Sequence, residues 1–234
     1  MKNADAKSKY SDYDKQTLTQ NRAPHPSQPA EINLIQYRRD YFSNNGEDGI
    51  IAELLKRMSI TSGWCCEVGA SDGHTSSNTF NLIKDRKFKG VMIEGDDALY
   101  ERLLNLSKQF NNITPIKSFI AKDSNSDNFI EKILSKTEIP KDFDVFSLDI
   151  DSFDYWVWKN MDVYRPKIVI VETSGLNLDI KWEEGAIHKI HLGGSTAVPP
   201  FLELAKEKDY AFVCFSGNLF FVDKKYYHLI KGKT

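Results

Sequence analysis

The chain has 234 residues, with 31 Lys and Arg against 33 Asp and Glu, a formal charge of −2. That length suits one α/β domain with a tail, and the balanced charge argues against a polyanion such as nucleic acid as partner. There is no run of about 18 apolar residues and no apolar signal core at the N-terminus, so neither a membrane span nor export is expected, and a cytoplasmic location is. Cys65, Cys66 and Cys214 are odd in number and sit in apolar runs. They read as buried thiols of a reducing compartment rather than a disulfide frame or a zinc site.

Residues 1–30 are polar and carry Pro24, Pro26 and Pro29. Such a segment buries too little apolar surface to order itself, so it reads as an arm, with the folded domain spanning residues 31–234. Tyr41 to Asp48 reads as a loop, followed by a helix from Gly49 to Met58 whose apolar residues recur at helical spacing. Glu47 and Asp48 have two readings: an acidic first turn complementing the helix dipole, or part of a loop, Asn45 to Asp48, folded over a ligand.

Trp64 to Gly73, WCCEVGASDG, is the stretch around which the chain is organised. An apolar run ends in a carboxylate and gives way to two glycines bracketing small polar residues. That is a buried strand emptying into a tight loop, where glycine allows close approach of a ligand to the backbone. Asn78 to Lys84 reads as a short helix. Gly90 to Asp96, GVMIEGD, is a second apolar run ending in a carboxylate. Glu94 lies 21 residues after Gly73, near the roughly 20-residue spacing at which a second-strand carboxylate accepts bonds from a ribose. Together the two stretches predict a nucleoside-containing ligand at the carboxyl edge of a parallel sheet.

The chain continues with a helix from Asp97 to Phe110, capped by Asp96 or Asp97, and a strand from Ile113 to Ile120 interrupted by Pro115. A helix from Asp127 to Leu134 and a strand from Asp144 to Asp151 follow. Asp149 and Asp151, two apart in a strand, would share one side. An aromatic helix from Tyr155 to Met161 contains Trp156 and Trp158, read as packing residues. Ile168 to Glu172 is the most continuous apolar run, as expected of a central parallel strand. The segment 173–196 is too long for an idle loop and carries Trp182, His188 and His191, so it reads as functional. A helix from Ala197 to Lys206 and a hairpin, Ala211–Phe215 with Leu219–Val222, close the chain. The pattern is α/β: an open, mostly parallel sheet with its last strand reversed.

These motifs resemble those of class I S-adenosylmethionine-dependent methyltransferases, and more narrowly the FkbM-type group. The matching pieces are Asn45-Gly46-Glu47-Asp48, Glu67 to Gly73, Ile93-Glu94-Gly95, Ser147 to Asp151 with Asp154-Tyr155 behind, Val171-Glu172 and Asn218 to Val222, over roughly residues 40–225. The resemblance implies a Rossmann-like seven-stranded sheet with helices on both faces and an antiparallel last strand. It implies S-adenosyl-L-methionine as cofactor, its methionine end held by Glu67, Gly69, Ser71, Asp72 and Gly73, with Asn45 and Asp149 nearby. Glu94 and Gly95 would hold the ribose and Ser118 would border the adenine. Ser71 stands where many class I enzymes carry a glycine.

Methyl transfer needs a nucleophile held in line with the reactive methyl. A sugar hydroxyl, the acceptor the resemblance favours, also benefits from a general base. The candidates are Asp149, Asp151, Glu172, His188 and His191. Converging carboxylates require either a raised pKa on one member or a hard cation, Mg²⁺ or Mn²⁺. An NAD-dependent sugar oxidoreductase and a catalytically silent nucleoside-binding module remain as alternatives.

Overall fold

The computed structural model describes residues 32–151, 153–173 and 198–231. The arm assigned to residues 1–30, and His188, His191 and nearly all of the 173–196 segment, lie outside them. Seven strands form one sheet: β1 (Trp64–Val68), β2 (Lys89–Glu94), β3 (Ile113–Lys117), β4 (Val145–Leu148), β5 (Ile168–Glu172), β6 (Tyr210–Ser216) and β7 (Asn218–Asp223). Their order is β3-β2-β1-β4-β5-β7-β6. The first five are parallel, and β7 runs antiparallel to both β5 and β6.

The helices among the described residues are α1 (Glu47–Arg57), α2 (Phe80–Arg86), α3 (Asp97–Ser107), α4 (Ile130–Leu134), α5 (Asp154–Lys159), α6 (Val198–Glu207) and α7 (Lys224–Ile230). Strand alternation sends successive side chains to opposite faces. Cys66, Val68, Val91, Ile93, Phe146, Leu148, Val169 and Val171 therefore pack with α4, α5 and α6. Cys65, Met92, Val145, Ile168 and Ile170 pack with α1, α2, α3 and α7. The two layers bury the sheet on both sides, which explains the near-continuous apolar reading of β5. Trp158 is buried in the first layer, as a packing residue should be. The three cysteines are free and buried.

Several boundaries differ from the sequence expectation for physical reasons. Pro115 pairs with Met92 inside β3. An edge strand tolerates the missing donor there. Asp96, not Asp97, caps α3 by accepting from the Ala98 and Leu99 N–H groups. Helix α1 starts at Glu47, two residues earlier than expected. Strand β4 stops at Leu148, short of both aspartates. Helix α7 has no counterpart in the sequence reading; the Asp223 side chain caps it through the Lys225 N–H.

Candidate active site

The β1 loop is folded against the ends of β2 and β4. Gly69 and Ala70 both donate to the Ile93 carbonyl at 3.0 Å. Gly69 has φ +79°, and a Cβ there would collide with the Asp149 carbonyl. Glycine at this position thus lets the loop cross the end of β4. Ser71 holds the left-handed region at φ 52°, and its N–H donates to Glu94 Oε2 at 2.7 Å. Asp72 closes the next turn, accepting from the His74 and Thr75 N–H groups.

The two strand-end carboxylates of this side serve different purposes. Glu67 is buried, and its oxygens accept from Ser77 Oγ (2.5 Å), Thr79 Oγ1 (2.7 Å) and the Asn78 N–H (2.8 Å). Burial pushes its carboxyl up, against those hydrogen bonds. It clamps the segment entering α2. Glu94 accepts from Ser71 N–H on one oxygen and from Asp96 N–H, at 2.8 Å, on the other. Each carboxylate oxygen has about two acceptor sites, so Glu94 retains capacity for hydroxyl donors. Beside it a Cβ on Gly95 would strike the ring of Phe119, which is 74% exposed. The Ser118 N–H donates to the Glu94 carbonyl at 3.0 Å.

The segment before α1 is pinned to the same edge. Asp48 Oδ2 gathers the N–H groups of Tyr41, Phe42 and Ser43 at 2.7–2.9 Å. Glu47 accepts from Asn45 N–H (2.7 Å), Asn45 Nδ2 (3.2 Å) and Asn218 Nδ2 (3.2 Å). The Asn45 carbonyl accepts from Arg38 Nε and Ser216 Oγ, and Asn44 Nδ2 reaches Ser76 Oγ at 2.7 Å. Glu47 and Asp48 form the acidic first turn of α1, and their carboxylates also pin the loop that precedes it. Asn45 braces this segment, with its N–H, Nδ2 and carbonyl all engaged.

At the end of β4 and β5, Asp149, Asp151 and Glu172 bring carboxylate oxygens within 4.8 Å of one another. The convergence matches the sequence expectation, but its cause does not. The aspartates are not alternate residues of a strand. Asp149 N–H still bonds the Val68 carbonyl at 3.1 Å, after which Asp151 turns into the left-handed region at φ 57°. Buried Asp154 fixes the turn by accepting from the Ile150 N–H at 2.9 Å. Burial, then the charge of Glu172 and a hydrogen bond to it, then the charges of Asp154 and Asp151, push the Asp149 carboxyl up to about 8. Asp151 is exposed. The proton-holding member is thus Asp149.

Asp154 and Asn218 were not among the expected site residues. Asp154 had a local signal, a carboxylate at the start of a helix directly behind two others. Asn218 opens the last piece of the family resemblance, but nothing local marked it as a site residue, because its cross-strand neighbour Glu172 is distant in sequence.

No family model matches the chain, and no curated protein matches it. Solved structures share its fold. The CurJ carbon methyltransferase is 9% identical with a TM-score of 0.50, over 81% of this chain and 56% of that one. WbdD is 15% identical with a TM-score of 0.48, over 79% and 41%. M. capricolum TrmK, solved with S-adenosyl-homocysteine, is 13% identical with a TM-score of 0.43, over 73% and 67%. The chain spans about half the length of the first two. The likeness to the CurJ carbon methyltransferase is one of fold, a Rossmann-like methyltransferase architecture. The reversed β7 between β5 and β6 departs from the 3-2-1-4-5-6 order of dinucleotide-binding sheets.

Among the described residues no helix is long and apolar enough to cross a membrane. Two surface hollows of about 410 and 420 Å³ lie at the opposite, amino edge of the sheet, around Arg165 and Trp64. Neither includes the acidic trio.

Proposed function

We propose that this chain is an S-adenosylmethionine-dependent O-methyltransferase of the FkbM type, acting in the cytoplasm on a hydroxyl of a sugar, free, nucleotide-linked or within a glycan. The observation that carries the reading is the meeting of Asp149 and Gly69. The residue that holds a proton near neutral pH lies directly against the loop suited to the cofactor's methionine end. Glu94, with spare acceptor capacity, takes the ribose hydroxyls, and Ser118 and Phe119 border the adenine. Glycine at 69 and 95 suits close approach of a ligand. Glu67 keeps the loop in place from beneath.

When bound, the cofactor supplies an electrophilic methyl group on sulfur. The chain's residues hold the acceptor oxygen in line and remove its proton. Ionised Asp149 accepts that proton as the oxygen–carbon bond forms, and Glu172 and Asp151 raise its basicity by repulsion. The same trio supplies oxygen donors suited to Mg²⁺ or Mn²⁺, which would bind sugar hydroxyls and lower their pKa. The balanced charge of the whole chain favours a sugar over nucleic acid.

Calorimetry against S-adenosylhomocysteine and NAD tests the cofactor: binding of the first and not the second is expected, and the reverse would overturn the reading. Release of S-adenosylhomocysteine during turnover with methyl glycosides separates an enzyme from a silent binding module. EDTA leaves the metal-free enzyme active and stops the metal-dependent one, with Mg²⁺ or Mn²⁺ restoring it.

A further inference from the structure

Two buried carboxylates, Asp48 and Glu67, lie close enough for the charge of one to act on the other. They differ in how their oxygens are occupied. Glu67 has donors on both: Ser77 and Thr79 hydroxyls on Oε2, and the Asn78 N–H on Oε1. Asp48 has its donors on one, since the N–H groups of Tyr41, Phe42 and Ser43 all reach Oδ2. Its Oδ1 is buried and has no hydrogen-bond partner among the described residues.

The three N–H donors fix this carboxylate in place. Rotation about its last bond only exchanges the two oxygens, so one is always left over. Asp144, a buried carboxylate that serves the fold, has both oxygens matched. A buried acceptor without a donor costs stability, and a single oxygen offers too few ligands for a hard cation. A cationic donor group would meet both the oxygen and its charge. The segment that supplies the N–H groups lies along the loop after β1. Phe42 meets Phe80 edge-on, with ring centres 4.8 Å apart, and Asn44 Nδ2 donates to Ser76 Oγ at 2.7 Å. Asn44 and Ser76 are both exposed, so their bond closes the seam between the two loops at the surface.

The loop after β1 is the one read above as holding the methionine end of the cofactor. That end carries an α-ammonium group, which brings three donors and a positive charge. We propose that Asp48 Oδ1 receives this ammonium, and that the seam between Asn44 and Ser76 parts to admit it and closes over it. The role falls to Asp48 rather than to Glu67, whose oxygens are engaged in holding the segment Ser77 to Thr79. This rests on the cofactor reading above and deepens it: the segment before α1 becomes a wall of the cofactor site, and Asp48 the residue that distinguishes a nucleoside bearing an amino acid from a plain one.

The test is calorimetry of the full chain with S-adenosylhomocysteine, with its decarboxylated analogue, which keeps the ammonium, and with 5′-methylthioadenosine, which lacks the amino-acid end. If the wild type binds none of them, the cofactor reading falls and this inference with it. Where the wild type binds, Asp48→Asn is the informative variant. Its amide keeps an oxygen for the N–H groups of Tyr41, Phe42 and Ser43 and presents a donor in place of Oδ1. It is expected to weaken S-adenosylhomocysteine and the decarboxylated analogue about tenfold or more, in line with loss of a charge-assisted hydrogen bond. The affinity for 5′-methylthioadenosine should stay within about twofold. Unchanged affinity for S-adenosylhomocysteine would leave Oδ1 to a buried water, and an equal loss with every ligand would make Asp48 a brace of the preceding loop alone; either result overturns the proposal. If the variant does not fold, a crystal structure of the wild type with S-adenosylhomocysteine decides the matter. The amino nitrogen is expected within about 3 Å of Asp48 Oδ1, and a water in its place overturns the proposal.

Discussion

Asp144 and Asp149 flank the same strand, β4, and the chain treats them in opposite ways. Asp144, at the amino edge, is matched on both oxygens: Lys167 Nζ lies 2.6 Å from Oδ1, and the Trp64 N–H donates to Oδ2 at 2.8 Å. Asp223 nearby is matched by Arg165. Asp149, at the carboxyl edge, is surrounded by Glu172, Asp151 and Asp154, and its carboxyl is pushed up to about 8 by burial and by those charges. A buried carboxylate that serves the fold gains partners, because an unpaired one costs several kcal/mol. A carboxylate set among its own kind is retained at the expense of stability, which is the mark of a group kept for chemistry.

The largest effect expected from this contrast is on turnover. Asp149→Asn should lower it about 10²–10⁴-fold, the range for loss of a general base, while calorimetry finds cofactor affinity little changed. Near wild-type turnover would show that positioning alone carries the transfer. At the other end of the strand, Asp144→Ala should leave Lys167 without its buried partner and cost about 3–5 kcal/mol. Thermal denaturation would register that as a fall of about 10 °C for a chain of this size. A fall of only a degree or two would erase the distinction between the two aspartates.

The smallest effect concerns Glu94. Its replacement by alanine removes both the brace on Ser71 and the acceptor expected for the ribose. Hydrogen bonds to a charged group are worth about 1.5–3 kcal/mol, so affinity for S-adenosylmethionine should drop about tenfold or more. Unchanged affinity in the folded variant would leave Glu94 as a brace for the loop alone.

How much of this was legible in the sequence depended on how local the cause was. Strand β5 was readable to the residue, because an unbroken run of β-branched side chains has one interpretation. Gly69 and Glu94 were readable because glycine and a strand-ending carboxylate each carry a local constraint. The end of β4 was not. Ser147 to Asp151 alternates like a strand, and only the closing bond from Asp154 to Ile150 shows where the extended backbone stops. Asp149, Asp151 and Glu172 were foreseen together, yet the trio is made by a left-handed turn at Asp151. Glu67 looked like a ligand-facing group, but its partners Ser77, Asn78 and Thr79 are ten and more residues away and ordinary in sequence. Asn218 is the extreme case, since the Glu47 that orients it is 171 residues distant.

The pH dependence of folding stability tests the central claim most directly: that Asp149 is a carboxyl held protonated by burial and by the surrounding acids. A folded-state pKa of about 8 lies above the unfolded value of about 3.9. Between those values the folded chain holds more protons than the unfolded one, so the contribution of Asp149 to stability is complete below about pH 4 and is lost progressively as pH rises toward about 8. Melting temperatures of the wild type and Asp149→Asn, measured across that window, should diverge. The variant should gain on the wild type with each step in pH and the gap should level off above about pH 8. Two curves that run parallel from acid to alkaline pH would contradict it, and would place Asp149 among the ordinary carboxylates of the fold.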